Sequence, residues 1–297
     1  MWPLSNCYVD LWIEIGAALG GEPEAILGFA IEQDFEGDQF TFSKPTGDDL
    51  QRLLGVQLYE LAVYDDIERH VALQVERGRL CLVEVDSYFL PDTRGLTYRC
   101  THGKTTVAFN RLTPASRTAE YFHNGGYYRL EGEDYAGLMA GYAHGATPFL
   151  PYAEFVRFAS RPRLGDEARD EAAAILGRRL RLAPEGNPVA RFADALPAAA
   201  EVVAERGQDF FHLYAFNTLR QLGANFELFG DHLDWLGLPG DAADDARQIA
   251  RTAKAAQFQL ARACAKRRFD PLAGAVAPAV DAYARMRERL AGVAKVL

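Results

Sequence analysis

Apolar positions along this chain follow two rhythms, and the change falls near residue 150. Residues 1 to about 145 carry aromatics, glycines and short β-type runs, whereas from about residue 165 leucine and alanine recur at helical spacing among arginines. Pro148, Pro151 and Pro162 punctuate the stretch between. In the first half, Ser5 or Asn6 is placed to cap a helix whose apolar face includes Val9, Trp12, Ile13 and Ala17, and Gly20-Gly21 ends it. Phe40-Thr41-Phe42 reads as a short strand, and Thr46 with Asp49 as a capping box for a helix through Leu54. Val56 to Leu61 is a strand candidate and Asp65 to Glu76 a helix. Leu80 to Val85 is apolar enough for a central strand. Thr105 to Phe109, Thr118 to Phe122 and Tyr127 to Leu130 follow as strands, and Glu133 to Tyr142 as a closing helix. One N-terminal helix before a mainly antiparallel sheet is an α+β layout.

The second half predicts five helices, roughly 166–181, 188–205, 208–236, 240–268 and 274–295, separated by glycine and proline signals. Together they suggest a helical bundle. The helix from Gln208 to Leu236 is apolar nearly all round, as a central helix would be. The expected organisation is therefore a domain over 1–147, a linker over 148–165 and a helical bundle over 166–297.

Composition narrows the class. With 49% hydrophobic and 25% charged residues, the chain is an ordinary globular protein. Its net charge of −9 argues against nucleic acid as a main partner, because phosphate binding needs a basic face. No stretch is apolar for long enough to span a membrane, and the N-terminus lacks a signal-peptide pattern. Cys7, Cys81, Cys100 and Cys264 show no paired spacing, so neither a disulfide framework nor a zinc site is expected. A cytoplasmic location is the expectation, and no directly bound cofactor or metal is indicated.

The chemistry begins at Cys7. A cysteine at a helix N-terminus sits where partial positive charge stabilises a thiolate and backbone N–H groups can hold an oxyanion. Unsupported, a terminal cysteine is more often a small apolar residue. Support comes from His102, just ahead of the strand from Lys104 to Phe109, which gives the chain order of papain-like sites. Asn124, after the next strand, falls where a group orienting the imidazole is expected, with His123 and Asp86 as competitors. Asp86 ends the strongest strand, where it lines a site or caps the following turn.

Asn6-Cys7-Tyr8, Val85-Asp86-Ser87-Tyr88-Phe89-Leu90-Pro91 and His102 together resemble the N-terminal domain of the butirosin-pathway acyltransferase family. The resemblance covers about the first 145 residues at motif level, and the Asp-x-Tyr-x-Leu-Pro segment discriminates best. It implies a papain-like cysteine-protease-type domain, akin to double-glycine leader peptidases, that moves an acyl group from a carrier-protein thioester to an amine. It implies Cys7 as nucleophile, His102 as base, and Asp86 with Tyr88 lining the site. The papain-type oxyanion glutamine has no counterpart before Cys7, so Asn6 with the Cys7 N–H is the expected substitute. Asn124 stands where the leader-peptidase group carries aspartate. With His212-x-Tyr-Ala-Phe-Asn-Thr-Leu-Arg-Gln-Leu-Gly, the whole chain is similar to a bacterial family of unknown function encoded beside stand-alone amino acid:carrier-protein ligases.

In the helical half, His212 and Arg220 share a helix face, where they form a structural network or a pocket for a carboxylate or phosphate. Arg157, Arg161, Arg163, Arg178 and Arg179 belong to the most basic stretch, either a solvated face or a dock for an acidic carrier protein. The leading expectation is an acyltransferase that takes an aminoacyl or acyl group from carrier-protein phosphopantetheine to a small amine or hydroxyl acceptor. A cysteine hydrolase using the same residues is the alternative, and a scaffold protein with a degenerate papain-like domain the third.

Overall fold

The structure is a computed structural model and describes residues 5–140, 150–238 and 240–293. Contacts divide the chain into two compact units: residues 6–23 with 47–163, and residues 24–46 with the chain from 164 onward.

The first unit is α+β. In chain order it contains α1 (Cys7–Ala18), α2 (Gly47–Leu54), β1 (Val56–Glu60), α3 (Ile67–Glu76), β2 (Leu80–Asp86), β3 (Lys104–Thr113), β4 (Thr118–His123), β5 (Gly126–Glu131), α4 (Gly132–Ala140) and β6 (Ala153–Phe158). Residues 141 and 142, the end of the helix expected through Tyr142, lie outside the described residues. The six strands form one sheet in the order β1-β6-β2-β3-β4-β5, with antiparallel neighbours throughout. β6 is the departure from expectation. It lies within the stretch read as a linker, yet it pairs with both β1 and β2 in the sheet interior.

Side chains alternate between the faces of a strand, and this decides where the core and the site lie. Cys81, Val83, Val85, Val107, Phe109 and Tyr121 point to one face and pack with Val71 of α3 and Tyr135 and Leu138 of α4. The other face presents Leu82, Glu84 and Asp86 of β2, cross-strand from Ala108, Thr106 and Lys104 of β3. α1 lies on that second face, against β3 and β4. Its buried residues include Val9, Leu11, Trp12 and Ile15, whereas Ala17 of the expected apolar face is exposed. The helix ends as its glycines predict. Gly20, at φ +75°, donates to the Ala17 carbonyl and Gly21 to the Gly16 carbonyl, which satisfies the last turn.

The second unit is helical. A 3-10 segment (Pro23–Glu32) leads into it, followed by α5 (Asp166–Leu182), α6 (Pro188–Arg206), α7 (Gln208–Ala215), a π-helical turn (Phe216–Arg220), α8 (Gln221–Trp235), α9 (Gly240–Lys266) and α10 (Leu272–Val293). α9 packs between α8 and α10, and α10 also packs on α6. Ile26, Leu27, Phe29 and Ile31 are buried in the 3-10 segment. The expected boundary is thus corrected at one place: residues 24–46 belong to the helical unit although they precede every strand of the sheet in sequence. Phe40 does not start a strand. It makes one isolated bridge with Phe35, and both rings pack against Phe192 of α6, edge-on and tilted, with centroids 5.1–5.5 Å apart.

Candidate active site

The second face of the sheet carries Glu84, Lys104, Thr106 and Glu154 beside the start of α1. Asn6 caps α1: its Oδ1 accepts the Val9 N–H at 2.9 Å. That cap places Cys7 in the first turn, with Sγ 3.9 Å from Thr106 Oγ1 on β3. Tyr8, the next residue, donates its hydroxyl to Glu154 Oε2 at 2.9 Å, and Tyr152 donates to the other oxygen at 2.8 Å. Glu154 is buried in β6 opposite Leu82. Its negative charge adds to burial in pushing the Tyr8 hydroxyl well above the usual tyrosine range, so Tyr8 remains a donor.

Asp86 and His102 stand at the end of β2 and the entry to β3. Asp86 Oδ2 is 2.5 Å from His102 Nδ1, and Oδ1 accepts the N–H groups of Tyr88 at 3.0 Å and Gly103 at 3.1 Å. Partial burial acts to raise the Asp86 pKa, but the hydrogen bonds from His102 and the two backbone groups outweigh it and leave the carboxyl below its usual value. An ionised carboxylate only accepts, so Nδ1 carries a proton toward Asp86, and in the neutral ring that tautomer leaves the lone pair on Nε2. Tyr88 stacks on the ring, with centroids 4.4 Å apart and planes 12° apart. The side chain of His102 is 71% exposed, so its free edge is open to an incoming molecule.

Strand register relates these groups. Thr106, under Cys7, pairs with Glu84; Lys104 pairs with Asp86 and donates its ammonium to Glu84 at 2.9 Å. Cys7 therefore lies above the same face as the Asp86–His102 pair, one two-residue strand repeat away, or about 7 Å along the strands.

Several expected roles change place. His102 is oriented by Asp86, not by Asn124, whose Nδ2 lies 3.5 Å from His123 Nδ1. His123 is buried on the opposite face, between Thr105 Oγ1 at 2.8 Å and Asp92 Oδ2 at 2.5 Å, and Tyr121 closes that network on Asp92. Asn6 is buried with its carbonyl oxygen engaged in the helix cap. The basic stretch is divided between the two units. Arg179 is 6% exposed and pairs with Glu32 at 2.8 Å, which removes it from any dock, while Arg157 lies over the rings of Tyr59 and Phe155 in the other unit. His212 and Arg220 do share a cavity, which lies within the helical unit. Glu84, Lys104, Thr106 and Glu154 were not singled out from sequence. Alternation along β2 and β3 would have placed the first three beside Asp86, whereas Glu154 sits in the stretch read as a linker.

No helix of the described residues is long and apolar enough to cross a membrane. Among them no group of three or more histidine, cysteine and carboxylate side chains could hold a metal ion. What fold and site define is an α+β protein with a cysteine at a helix N-terminus over a sheet face that carries an Asp–His pair, joined in one chain to a helical unit. The chain belongs to the DUF1839 family: the N-terminal domain of that family matches residues 1–158 and its C-terminal domain residues 165–292. No curated protein matches it.

Proposed function

We propose that the first unit is a papain-like acyltransferase domain in which Cys7 is the nucleophile, His102 the base and Asp86 the group that orients it. The observation that carries this reading is the Asp86–His102 pair, held at 2.5 Å and exposed on the face where α1 begins with Cys7. The resemblance of Asn6-Cys7-Tyr8 and the Asp86-to-Pro91 segment to the butirosin-pathway acyltransferase supports a carrier-protein thioester as donor.

The reaction follows from these groups. His102 Nε2 takes the thiol proton, and the Cys7 thiolate adds to the thioester carbonyl. The tetrahedral oxyanion forms at the start of α1, where first-turn N–H groups point outward. Its collapse breaks the bond to the carrier sulfur, which leaves with the proton from the imidazolium. An amine then adds to the acyl-cysteine, His102 takes its proton, and collapse to the amide returns the proton to Cys7 sulfur. Asp86 holds the tautomer and balances the charge on the ring in each step.

Intact-mass analysis of the full chain with an aminoacyl N-acetylcysteamine thioester tests this reading. Wild type gains one aminoacyl mass, Cys7→Ala gains none, and His102→Ala forms the adduct at least about 100-fold more slowly. An adduct that persists in Cys7→Ala, or no adduct in wild type, overturns it.

A further inference from the structure

The π-helical turn between α7 and α8 is the least regular part of the helical unit, and a cavity opens beside it. An i→i+5 turn inserts an extra residue and leaves carbonyls that an α-helix would satisfy. Three side chains take up that role. Asn217 donates to the Leu213 carbonyl at 2.8 Å, Thr218 to that of Tyr214 at 2.6 Å, and Gln257 of α9 to that of Ala215 at 3.3 Å. The turn is thereby fixed, and the widened spacing brings Phe211, Phe216 and Arg220 onto one side, facing α9.

The cavity between these elements measures about 460 Å³, within the range of roughly 300–1,000 Å³ usual for small-molecule sites. Phe211, Phe216 and Phe258 supply three aromatic rings, and the polar groups are Arg220, His212 and Gln257. Arg220 lies 4.9 Å over the Phe216 ring. A guanidinium is planar and presents paired N–H donors, the geometry that suits a carboxylate. Phe258 is 72% exposed and Phe216 43%, so the aromatic walls stand open to solvent. Among the residues that line it, Arg220 is the charged group able to meet an anion.

We infer that this cavity is a second binding site, for a small aromatic carboxylate whose ring enters between the phenylalanines and whose anionic group meets Arg220. It uses neither Cys7 nor His102, so it stands or falls separately from the acyl-transfer reading.

Calorimetric titration of the full chain with 2-naphthoate, and with its neutral counterpart 2-naphthylmethanol, tests the inference. Naphthoate binds at one site per chain, and the alcohol binds at least about tenfold more weakly. Arg220→Met, which keeps an apolar stem, removes the difference between the two probes. Phe258→Ser, at an exposed position with little effect on folding, weakens both by roughly tenfold. Absence of saturable naphthoate binding, equal affinity for both probes in wild type, or unchanged naphthoate affinity in either variant overturns the assignment. Should Arg220→Met fail to fold, the wild-type comparison and Phe258→Ser still decide it.

Discussion

His232 shows how one side chain can be fixed by a single glycine. The imidazole is 1% exposed, and its Nδ1–H donates to the Glu24 carbonyl at 2.7 Å. A Cβ added to Gly28 would lie 2.9 Å from Nε2, so the absence of a side chain at residue 28 is what admits the ring. Burial disfavours the charged form and lowers the pKa to about 4, from 6.5 in an unfolded chain. Between those values the unfolded chain binds the extra proton, so the stabilising contribution is full above pH 6.5 and is lost as pH falls toward 4. Wild type should lose about 2 kcal/mol of unfolding free energy from this group between pH 7 and pH 5. His232→Asn, which retains a donor for Glu24, should show a flatter dependence in urea titrations over that interval. Equal slopes for the two proteins would refute the assignment. Asp86 carries the same sign from a different cause: hydrogen bonds to the ionised carboxyl hold its pKa below the usual value, so its contribution too is lost as pH falls and it protonates.

Among elements, α1 matters most because its first turn sets the position of Cys7. Asn6→Ala removes the bond to the Val9 N–H and should cost about 1 kcal/mol, while Asn6→Asp, which keeps an acceptor, should retain most of the stability. Thermal unfolding of the three proteins checks this; an unchanged midpoint in Asn6→Ala would mean the cap carries no weight. This helix was legible in sequence at both ends, since Asn6 and Gly20-Gly21 are local signals whose action needs no distant partner. The strands Leu80 to Val85 and Thr105 to Phe109 were legible for a similar reason, being apolar runs bounded by polar turns. β6 was not. Glu154 interrupts its alternation with a charge, and only the hydroxyls of Tyr8 and Tyr152, far apart in sequence, make that charge tolerable inside the sheet. The 3-10 segment escaped notice because the run from Ala25 to Ile31 is buried nearly throughout and so carries no clear period. The π-helical turn lies within a helix that was foreseen as continuous, and apolar spacing alone does not register one inserted residue.

At the scale of the whole molecule, the chain leaves the sheet-bearing unit after residue 23, contributes residues 24–46 to the helical unit, and returns. The change of texture near residue 150 lies ahead of the contact division at 163/164 and hides this earlier excursion, whose aromatic contacts from Phe35 and Phe40 are made with Phe192, a residue far along the chain. Of the candidate site, Cys7, Asp86, Tyr88 and His102 could be nominated from sequence, but the partner of His102 depends on strand register between β2 and β3. The central claim is that Cys7 is activated by His102 held on Asp86. Exposure alone argues the other way, because Cys7 is half-buried and Cys100 is exposed. The most direct measurement is residue-resolved mass spectrometry of iodoacetamide alkylation at neutral pH, comparing wild type with His102→Ala and Asp86→Asn. Cys7 should react faster than Cys100 in wild type and lose that advantage in both variants. Alkylation of Cys7 no faster than that of Cys100, or a rate indifferent to His102 and Asp86, would contradict it.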